Sequence, residues 1–317
     1  MTTYKGIKGF NIQTVSSDPP APFTGQVWYN STSGTVKYSG ISNVWSTGGN
    51  LPSPSSHQGG AGTLTAGLSF GGRNPSNAVV NVTDEYNGSS WTTGGTLTTA
   101  RQSMGDAGTQ TAGLAFGGSP GGLNATEEYD GSSWTGGGNM GTGRSYIGGC
   151  GTQTAGLAIG GNPVTTACEE YDGSSWTAGG SLTTAGNSIA GAGTQTAGLG
   201  FGRGPGQSTL TEEYDGSSWT AGGALPVAIQ SMASAGLQTA AIAFGGESAT
   251  EAILTSTELY DGTNWSASSN LNVGRQLLAG AGIQSAALAI GGQGAPGSTN
   301  ATEEFSLGSA TLTVGTD

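Results

Sequence analysis

The chemistry open to this chain is limited by its single histidine, His57. A histidine-based metal site needs several ligands in a fixed geometry, and a hydroxyl or thiol nucleophile needs a base beside it. One imidazole cannot provide the several ligands of such a metal site, and it leaves little choice of base for a nucleophile. We therefore predict no catalytic residues, no metal site and no cofactor, and we interpret His57 as a residue of a surface loop.

Carboxylates are more frequent and recur as neighbouring pairs, which are Glu127-Glu128, Glu169-Glu170, Glu212-Glu213 and Glu303-Glu304. Each pair lies in a strand-like segment, where consecutive side chains point to opposite faces. The two members of a pair therefore cannot chelate one ion together. We expect them to improve solubility and to protect exposed strands from edge-to-edge association. A carboxylate–cation site is the alternative.

Arginine is the side chain best suited to recognition, because its guanidinium binds carboxylates through two hydrogen bonds and stacks on flat groups. Arg101, Arg144 and Arg275 each lie ten residues after a tryptophan, in a chain with five arginines. The other members of this candidate ligand-binding set are Gln102, Tyr146, Gln230, Gln276 and His57. The alternative is that the three arginines only pair with nearby Asp or Glu.

These residues belong to a repeat of about 44 residues. Its tryptophans are spaced 46, 43, 42, 43 and 46 residues apart, and they are Trp45, Trp91, Trp134, Trp176, Trp219 and Trp265. The length changes only between a Gly-Gly position and the following tyrosine. A repeat with one elastic segment indicates a rigid scaffold that presents a set of variable loops.

One repeat contains four strand-like segments. In the unit from Ser103 to Gly137, a run of small residues is followed by Thr111–Phe116, Thr126–Tyr129 and a segment that begins at Ser133. Asp130-Gly131 between two such segments is a strong hairpin signal, and no helical spacing of apolar residues is present. Four short antiparallel strands per repeat predict an all-β fold, a β-propeller with the Trp and Tyr side chains between blades.

The repeat resembles the kelch family, in the Gly-Gly that ends the second strand, the Tyr-Asp that ends the third and the Trp that opens the fourth. The resemblance covers roughly residues 45–305. Two repeats depart from it, since Arg203 replaces the second Gly in one and Phe305 replaces the Tyr, with no Trp after it, in the last. In kelch domains, arginines near this rim contact acidic partner segments, which the resemblance implies for Arg101, Arg144 and Arg275.

The number of blades depends on how the chain ends are assigned. We expect a single propeller over residues 1–317 with seven blades, in which residues 1–47 form a divergent first blade and 48–317 the kelch-like repeats. The expected first-blade strands are Ile7–Thr14, Gln26–Tyr29, Thr35–Tyr38 and Val44-Trp45, and Ala310–Val314 is the expected last strand. The alternative is six blades, with the Trp45 strand in the last blade and the N-terminal residues as a hairpin cap.

Antiparallel order places two kinds of loop on one face: those between the second and third strands of a blade (B–C) and those that join one blade to the next (D–A). The B–C loops carry the length variation, at 73–82, 119–125, 162–167, 204–210, 247–256 and 293–300. The D–A loops carry the three arginines. The opposite face repeats turn glutamines, which we interpret as scaffold: Gln110, Gln153, Gln195, Gln238 and Gln284.

The segment from Gly25 to Gly34 and the near-identity of the repeats resemble bacteriophage tail and fibre-associated proteins. We therefore expect a non-enzymatic binding module, an appendage protein that recognises a host-surface glycan or protein. The alternatives are a structural tail or capsid-associated component, in contact with other virion proteins, and a polysaccharide hydrolase. The resemblance implies a virion or extracellular location after release, following synthesis in the host cytoplasm.

A net charge of −12 disfavours nucleic acid and anionic membranes as partners. No apolar run is long enough to span a bilayer, and the N-terminal residues do not resemble a secretory signal. Cys150 and Cys168 are expected on the first and third strands of one blade. At normal strand spacing that separation is too large for a disulfide, so both should be free thiols.

Overall fold

The computed structural model describes residues 12–20 and 26–314, none of which is helical. The chain divides into two compact units, Trp45–Ser306 and a smaller one formed by Met1–Val44 with Leu307–Asp317. The larger unit consists of four-stranded antiparallel sheets in a repeated arrangement, so the predicted all-β propeller architecture is confirmed. Within the described residues, no helix has the length and apolar character needed to cross a membrane.

The larger unit has six blades among the described residues, numbered here in chain order, each with strands A to D from the axis outward. Blades 1 to 3 comprise Gly59–Thr63, Ala66–Phe70, Thr83–Tyr86 and Trp91–Thr93; Gly105–Thr109, Ala112–Phe116, Thr126–Tyr129 and Trp134–Gly136; Gly148–Thr152, Ala155–Ile159, Cys168–Tyr171 and Trp176–Ala178. Blades 4 to 6 comprise Ala190–Thr194, Ala197–Phe201, Thr211–Tyr214 and Trp219–Ala221; Ala233–Leu237, Ala240–Phe244, Thr257–Tyr260 and Trp265–Ala267; Ala279–Ile283, Ala286–Ile290, Thr302–Thr313 and the Trp45 end of Thr35–Thr47.

The structure therefore has the six-blade arrangement rather than the seven blades expected first. Gly48 donates its N–H to the Thr302 carbonyl and the Ser46 hydroxyl reaches the Glu304 carbonyl, which places the Trp45 strand beside the third strand of blade 6. The expected strand at Ala310–Val314 is not separate, because Thr302–Thr313 runs on as one strand. No Asp-Gly turn follows Phe305, so nothing in the sequence reverses the chain there.

Among its described residues, the smaller unit contains a hairpin with an added parallel strand, which is not the all-antiparallel order of a blade. Val27–Asn30 pairs antiparallel with Thr35–Tyr38, while Gln13–Val15 pairs with Val27–Asn30 in parallel. Asp18 accepts hydrogen bonds from the Trp28 indole and from Asn30, and Lys37 pairs with it at 2.7 Å. The expected strand Ile7–Thr14 falls mostly outside the described residues.

Tryptophan binds each blade to its predecessor, as the sequence predicts. Trp134 of blade 2 donates its indole N–H to the Thr83 hydroxyl of blade 1 at 2.9 Å. The Trp45 indole reaches Thr257 of blade 5 in the same way, and its ring packs 5.0 Å from Phe244 and 5.1 Å from Phe305. Trp45 thus occupies the fourth-strand position of blade 6.

Tyrosine forms a second link between blades, and its partner is the second acid of each pair. The Tyr129 hydroxyl of blade 2 donates to Glu85 of blade 1 at 2.5 Å. The equivalent donors and acceptors are Tyr171 with Glu128, Tyr214 with Glu170, Tyr260 with Glu213, and Tyr86 with Glu304. The paired acids are therefore structural hydrogen-bond partners, and the expected role in protecting strand edges is wrong.

Phe305 has no hydroxyl, and this departure from the repeat is matched by its neighbour. The acid that Tyr would contact in blade 5 is replaced by Leu259, which packs in the same apolar cluster as Phe305. Removing both partners of a hydrogen bond avoids the cost of leaving one unsatisfied. Blades 5 and 6 are thus joined by apolar contact where the others use Tyr–Glu.

The turn glutamines confirm their interpretation as scaffold. The side-chain amide of Gln110 donates to the carbonyls of Gly67 and Tyr86 in the preceding blade, at 3.0 and 2.7 Å. The same pair of bonds is made by Gln153, Gln195, Gln238 and Gln284. Cys150 and Cys168 are free and buried on the first and third strands of blade 3, as predicted.

Glycine in the first strands follows from how closely the blades approach at the axis. A Cβ on Gly149 would lie 2.3 Å from the Asp106 carbonyl oxygen of the preceding blade, and one on Gly191 would lie 2.5 Å from the Gly149 carbonyl. Both distances are well inside van der Waals contact. The six first strands therefore close in a circle in which each contacts the next.

Candidate functional site

The three rim arginines expected to contact a ligand are buried. Arg101 is 0% exposed, and its guanidinium donates to the carbonyls of Gly117 and Ala125 and to Glu127 at 2.5 Å. Arg144 and Arg275 make the same contacts with Glu169 and Glu303, each at 2.8 Å. Each guanidinium is bound within its own blade and is not free for a ligand. The alternative prediction, that these arginines pair with nearby acids, therefore holds.

Arg203 forms the same kind of ion pair in blade 4 from a different position in the chain. Blade 4 has Gly186 where blades 2, 3 and 6 have the D–A arginine, and the Arg203 side chain enters the space beside it. From there it donates to Glu212 at 2.8 Å and to the Thr184 carbonyl at 2.7 Å. Arg203, which stands where the other repeats have the second Gly of Gly-Gly, thus supplies the cation that blade 4 otherwise lacks.

The glutamines of the candidate set lie where the D–A and B–C segments of a blade meet. Gln102 is buried and donates to the Ser119 hydroxyl at 3.2 Å, while Gln230 is half-buried and donates to Glu247 at 3.0 Å. Gln276 pairs through its backbone with Gln293. In each blade the D–A and B–C segments are joined by such an antiparallel bridge, so these two segments lie together, as the strand order predicts.

His57 and Tyr146 belong to a ring of six equivalent residues, which the sequence reasoning did not recognise. Six residues, each twelve positions after a tryptophan, have left-handed backbone angles between 50° and 60°; they are His57, Ser103, Tyr146, Ser188, Ser231 and Leu277. Each donates its N–H to the carbonyl of the equivalent residue in the preceding blade, and the His57 N–H returns to Leu277 at 2.8 Å. We call these six residues the mouth ring.

The mouth ring surrounds the opening of a cavity of about 130 Å³ on the axis. All six of its side chains are half-buried. Apart from His57, these residues are of types that rarely adopt a positive φ. The rings of His57 and Tyr146 lie edge to face with centroids 6.3 Å apart. Burial, followed by the charge of Arg73, lowers the pKa of His57 to about 4, so its imidazole is neutral at pH 7.

Asp106 lies deeper on the axis. It lines two openings there, the cavity at the mouth ring and a second pocket formed by the first strands. Its carboxylate accepts the Gly60 N–H at 2.9 Å, and burial raises its pKa to about 7. The other blades have glycine or serine at this position, namely Gly60, Gly149, Gly191, Ser234 and Gly280. A single acid in the small-residue pattern of the first strands was the sequence signal for this group.

Neither a metal nor a pair of catalytic carboxylates is suggested by the axial groups. Among the described residues, no three His, Cys, Asp or Glu side chains are grouped as metal ligands. Of the described residues that line the two openings, Asp106 alone carries a carboxyl group. Glycoside hydrolysis uses two, so the site offers polar and aromatic contacts around one partly protonated acid.

Comparison of the sequence with known protein families found no match, and comparison with curated proteins found no relative. The candidate site is therefore defined by its geometry. His57 and Tyr146 from the original set lie in it, with Ser103, Ser188, Ser231 and Leu277 added by the structure.

Proposed function

We propose that this chain is a non-enzymatic binding module that recognises a surface glycan or protein at the mouth ring and the B–C loops around it. One observation carries the proposal. Six positions with the same backbone conformation and the same hydrogen bonds carry imidazole, phenol, hydroxyl and isobutyl groups. Since the scaffold does not require these side chains to differ, their variety fits selection for a ligand without six-fold symmetry.

The chemistry of the mouth ring suits a polar ligand with apolar faces. Tyr146 and neutral His57 offer flat ring surfaces with a hydrogen-bonding edge, and the serine hydroxyls can donate or accept. Sugars present both C–H faces and hydroxyls. We therefore favour a glycan, or a protein loop of similar polarity, as the ligand.

The Gly25–Gly34 segment and the near-identity of the repeats, which resemble phage tail and fibre-associated proteins, support placing this module on a phage appendage, facing a host surface. A structural virion role is the second candidate, and in that role we assign the virion contact to the smaller compact unit. The two roles differ in what the mouth ring contributes. Substitutions there should reduce host binding in the first role and leave virion incorporation unchanged in the second.

The test is binding of the intact chain to a glycan array and to host cells, compared with the variant His57→Asn/Tyr146→Asn. Asparagine tolerates left-handed backbone angles, so the ring should stay closed. We expect binding to weaken at least tenfold. The control is Leu237→Ser/Ile283→Ser, two exposed residues at A–B turns on the opposite face, which should bind as the parent does. Unchanged binding by the mouth-ring variant would contradict the proposal.

A further inference from the structure

Every blade carries an acid two positions before the Tyr or Phe of its third strand, and the blades differ in what neutralises it. In blades 2, 3 and 6 the D–A arginine does so, and in blade 4 Arg203 does. The two acids that remain without an ion pair among the described residues are Glu258 in blade 5 and Asp84 in blade 1.

Blades 5 and 1 replace the arginine in different ways. In blade 5 the residue at the arginine position is Ile229. Its side chain, with Leu225 and Met232, fills the space beside Glu258, so that the remaining cavity volume is about 0 Å³. In blade 1 the residue at the arginine position is Ser55, and a cavity of about 330 Å³ is lined by both Ser55 and Asp84. A water molecule takes about 30 Å³ in the liquid, so the blade 1 cavity has room for a much larger guest.

The acceptors that hold a guanidinium in blade 2 are all present around this cavity. The Arg101 guanidinium contacts the carbonyls of Gly117 and Ala125, and Gly117 donates its N–H to Ala125. Gly71 and Val82 occupy the equivalent positions in blade 1, keep the same backbone bond at 2.8 Å and line the cavity. The scaffold of the arginine site is thus intact while the arginine is missing.

The acid of this cavity is short of partners. Asp84 is 8% exposed, and the hydrogen bond that it accepts comes from Thr93 at 3.1 Å. Burial raises its pKa and the hydrogen bond from Thr93 opposes this, while no ion pair to Asp84 forms among the described residues. The Ser55 hydroxyl is buried without a partner. Because aspartate is one methylene shorter than the glutamates of the other blades, its carboxylate also leaves more room for a guest.

We propose that the blade 1 cavity is a binding site for a guanidinium group, held by Asp84 and by the carbonyls of Gly71 and Val82. The apolar walls from Pro52, Val80 and Val82 suit a flat, weakly hydrated cation better than a compact ammonium. The guanidinium comes either from a small free cation or from an arginine side chain of a partner. This site is separate from the mouth ring and stands independently of the function proposed there.

The test is calorimetric titration of the intact protein with methylguanidinium and with N-acetylarginine amide, at concentrations too low to denature it. Urea and methylammonium are the controls, because urea has the shape without the charge and methylammonium the charge without the shape. Saturable binding of methylguanidinium at least tenfold tighter than both controls is expected. Binding of the arginine amide as well identifies a side chain as an admissible source, and binding of methylguanidinium alone identifies a small free cation.

The decisive variant is Ser55→Arg/Asp84→Glu, which copies the Arg101–Glu127 pair and should fold with a Tm no lower than the parent. It should lose methylguanidinium binding more than tenfold, as should Asp84→Asn. Glu258→Gln, at the matched acid of the filled blade 5 site, should bind as the parent does. Equal binding by the parent and Ser55→Arg/Asp84→Glu, or urea binding as tightly as methylguanidinium, would overturn the proposal.

Discussion

Consecutive glutamates in the third strands have different partners because a strand directs neighbouring side chains to opposite faces. Glu127 forms the buried ion pair with Arg101 inside its blade, while Glu128 accepts the Tyr171 hydroxyl from the next blade. Glu127 is buried and Glu128 is half-buried. An acidic pair that suggests solubility when the sequence is considered alone is therefore a device for charge pairing on one face and blade pairing on the other.

Asp106 should make stability depend on pH. Its pKa rises from 3.8 to about 7 on folding, so between these values the folded state retains a proton that the unfolded chain has lost. The contribution of this group to the free energy of unfolding therefore falls as pH rises from about 4 to about 7. Asp106→Asn keeps an acceptor for the Gly60 N–H and cannot ionise. We expect its stability relative to the parent to improve by up to about 4 kcal/mol over this range.

Urea unfolding of the parent and Asp106→Asn at pH 4, 6 and 8 measures this difference. His57 acts in the opposite direction, since its lowered pKa of about 4 makes the parent less stable as pH falls below about 6.5. It is present in both proteins and cancels in the comparison. A difference between the two proteins that stays constant from pH 4 to pH 8 would show that folding does not raise the pKa of Asp106.

At the scale of one blade, four of the six blades pair the first acid of the third strand with an arginine, and that arginine enters from either of two positions. Arg203 enters from the B–C side because Gly186 leaves the D–A side empty. Its Nη2 and Nε atoms are buried without partners, so the substitute is less well satisfied than Arg101. A buried acid left unpaired is the costly outcome that both solutions avoid.

The variant Arg203→Gly should lose roughly 3–5 kcal/mol, because it leaves Glu212 buried and unpaired. Adding Gly186→Arg to it restores the pattern of blades 2 and 3 and should recover most of that loss. Chemical denaturation of the two variants and the parent measures the coupling. If Gly186→Arg/Arg203→Gly is no more stable than Arg203→Gly, the two positions do not serve the same acid.

At the scale of the whole propeller, the circle is closed by non-covalent contact between the first and last repeats. The Trp45 strand, which precedes blade 1 in the chain, completes blade 6, and the mouth ring returns from Leu277 to His57. Small axial residues allow six blades to approach this closely. The closed ring holds the left-handed backbone angles of the mouth ring, which an isolated blade would have no means to impose.

Trp45→Ala should destabilise the propeller by about 3–5 kcal/mol, the usual cost of truncating a buried tryptophan. Trp91→Ala, the equivalent change in blade 1, is the matched control and should cost a similar amount, since both indoles bond to a threonine of the preceding blade. Urea unfolding checks both. A loss below about 1 kcal/mol for Trp45→Ala beside a full loss for Trp91→Ala would place the Trp45 strand outside blade 6.

The sequence by itself determined the repeat, the four strands of each blade, the role of Trp and Tyr between blades and the turn glutamines. These are local or periodic features, since strand pairing within a hairpin and the alternation of side chains follow from nearby residues. The pairing of D–A with B–C segments also followed, because antiparallel order places them on one face.

Only the tertiary structure decided the number of blades, the burial of the arginines, and which residues meet at the axis. The Trp45 strand meets Thr302 and His57 meets Leu277 across the length of the chain, while Arg203 and the space at Gly186 belong to one repeat and meet only in the folded blade. The spacing of Arg101 after a tryptophan was visible, but whether its guanidinium faces solvent or Glu127 depends on how the blade folds over it. Ring closure sets the contacts of Trp45 and of His57, and no single repeat contains the information that specifies these two.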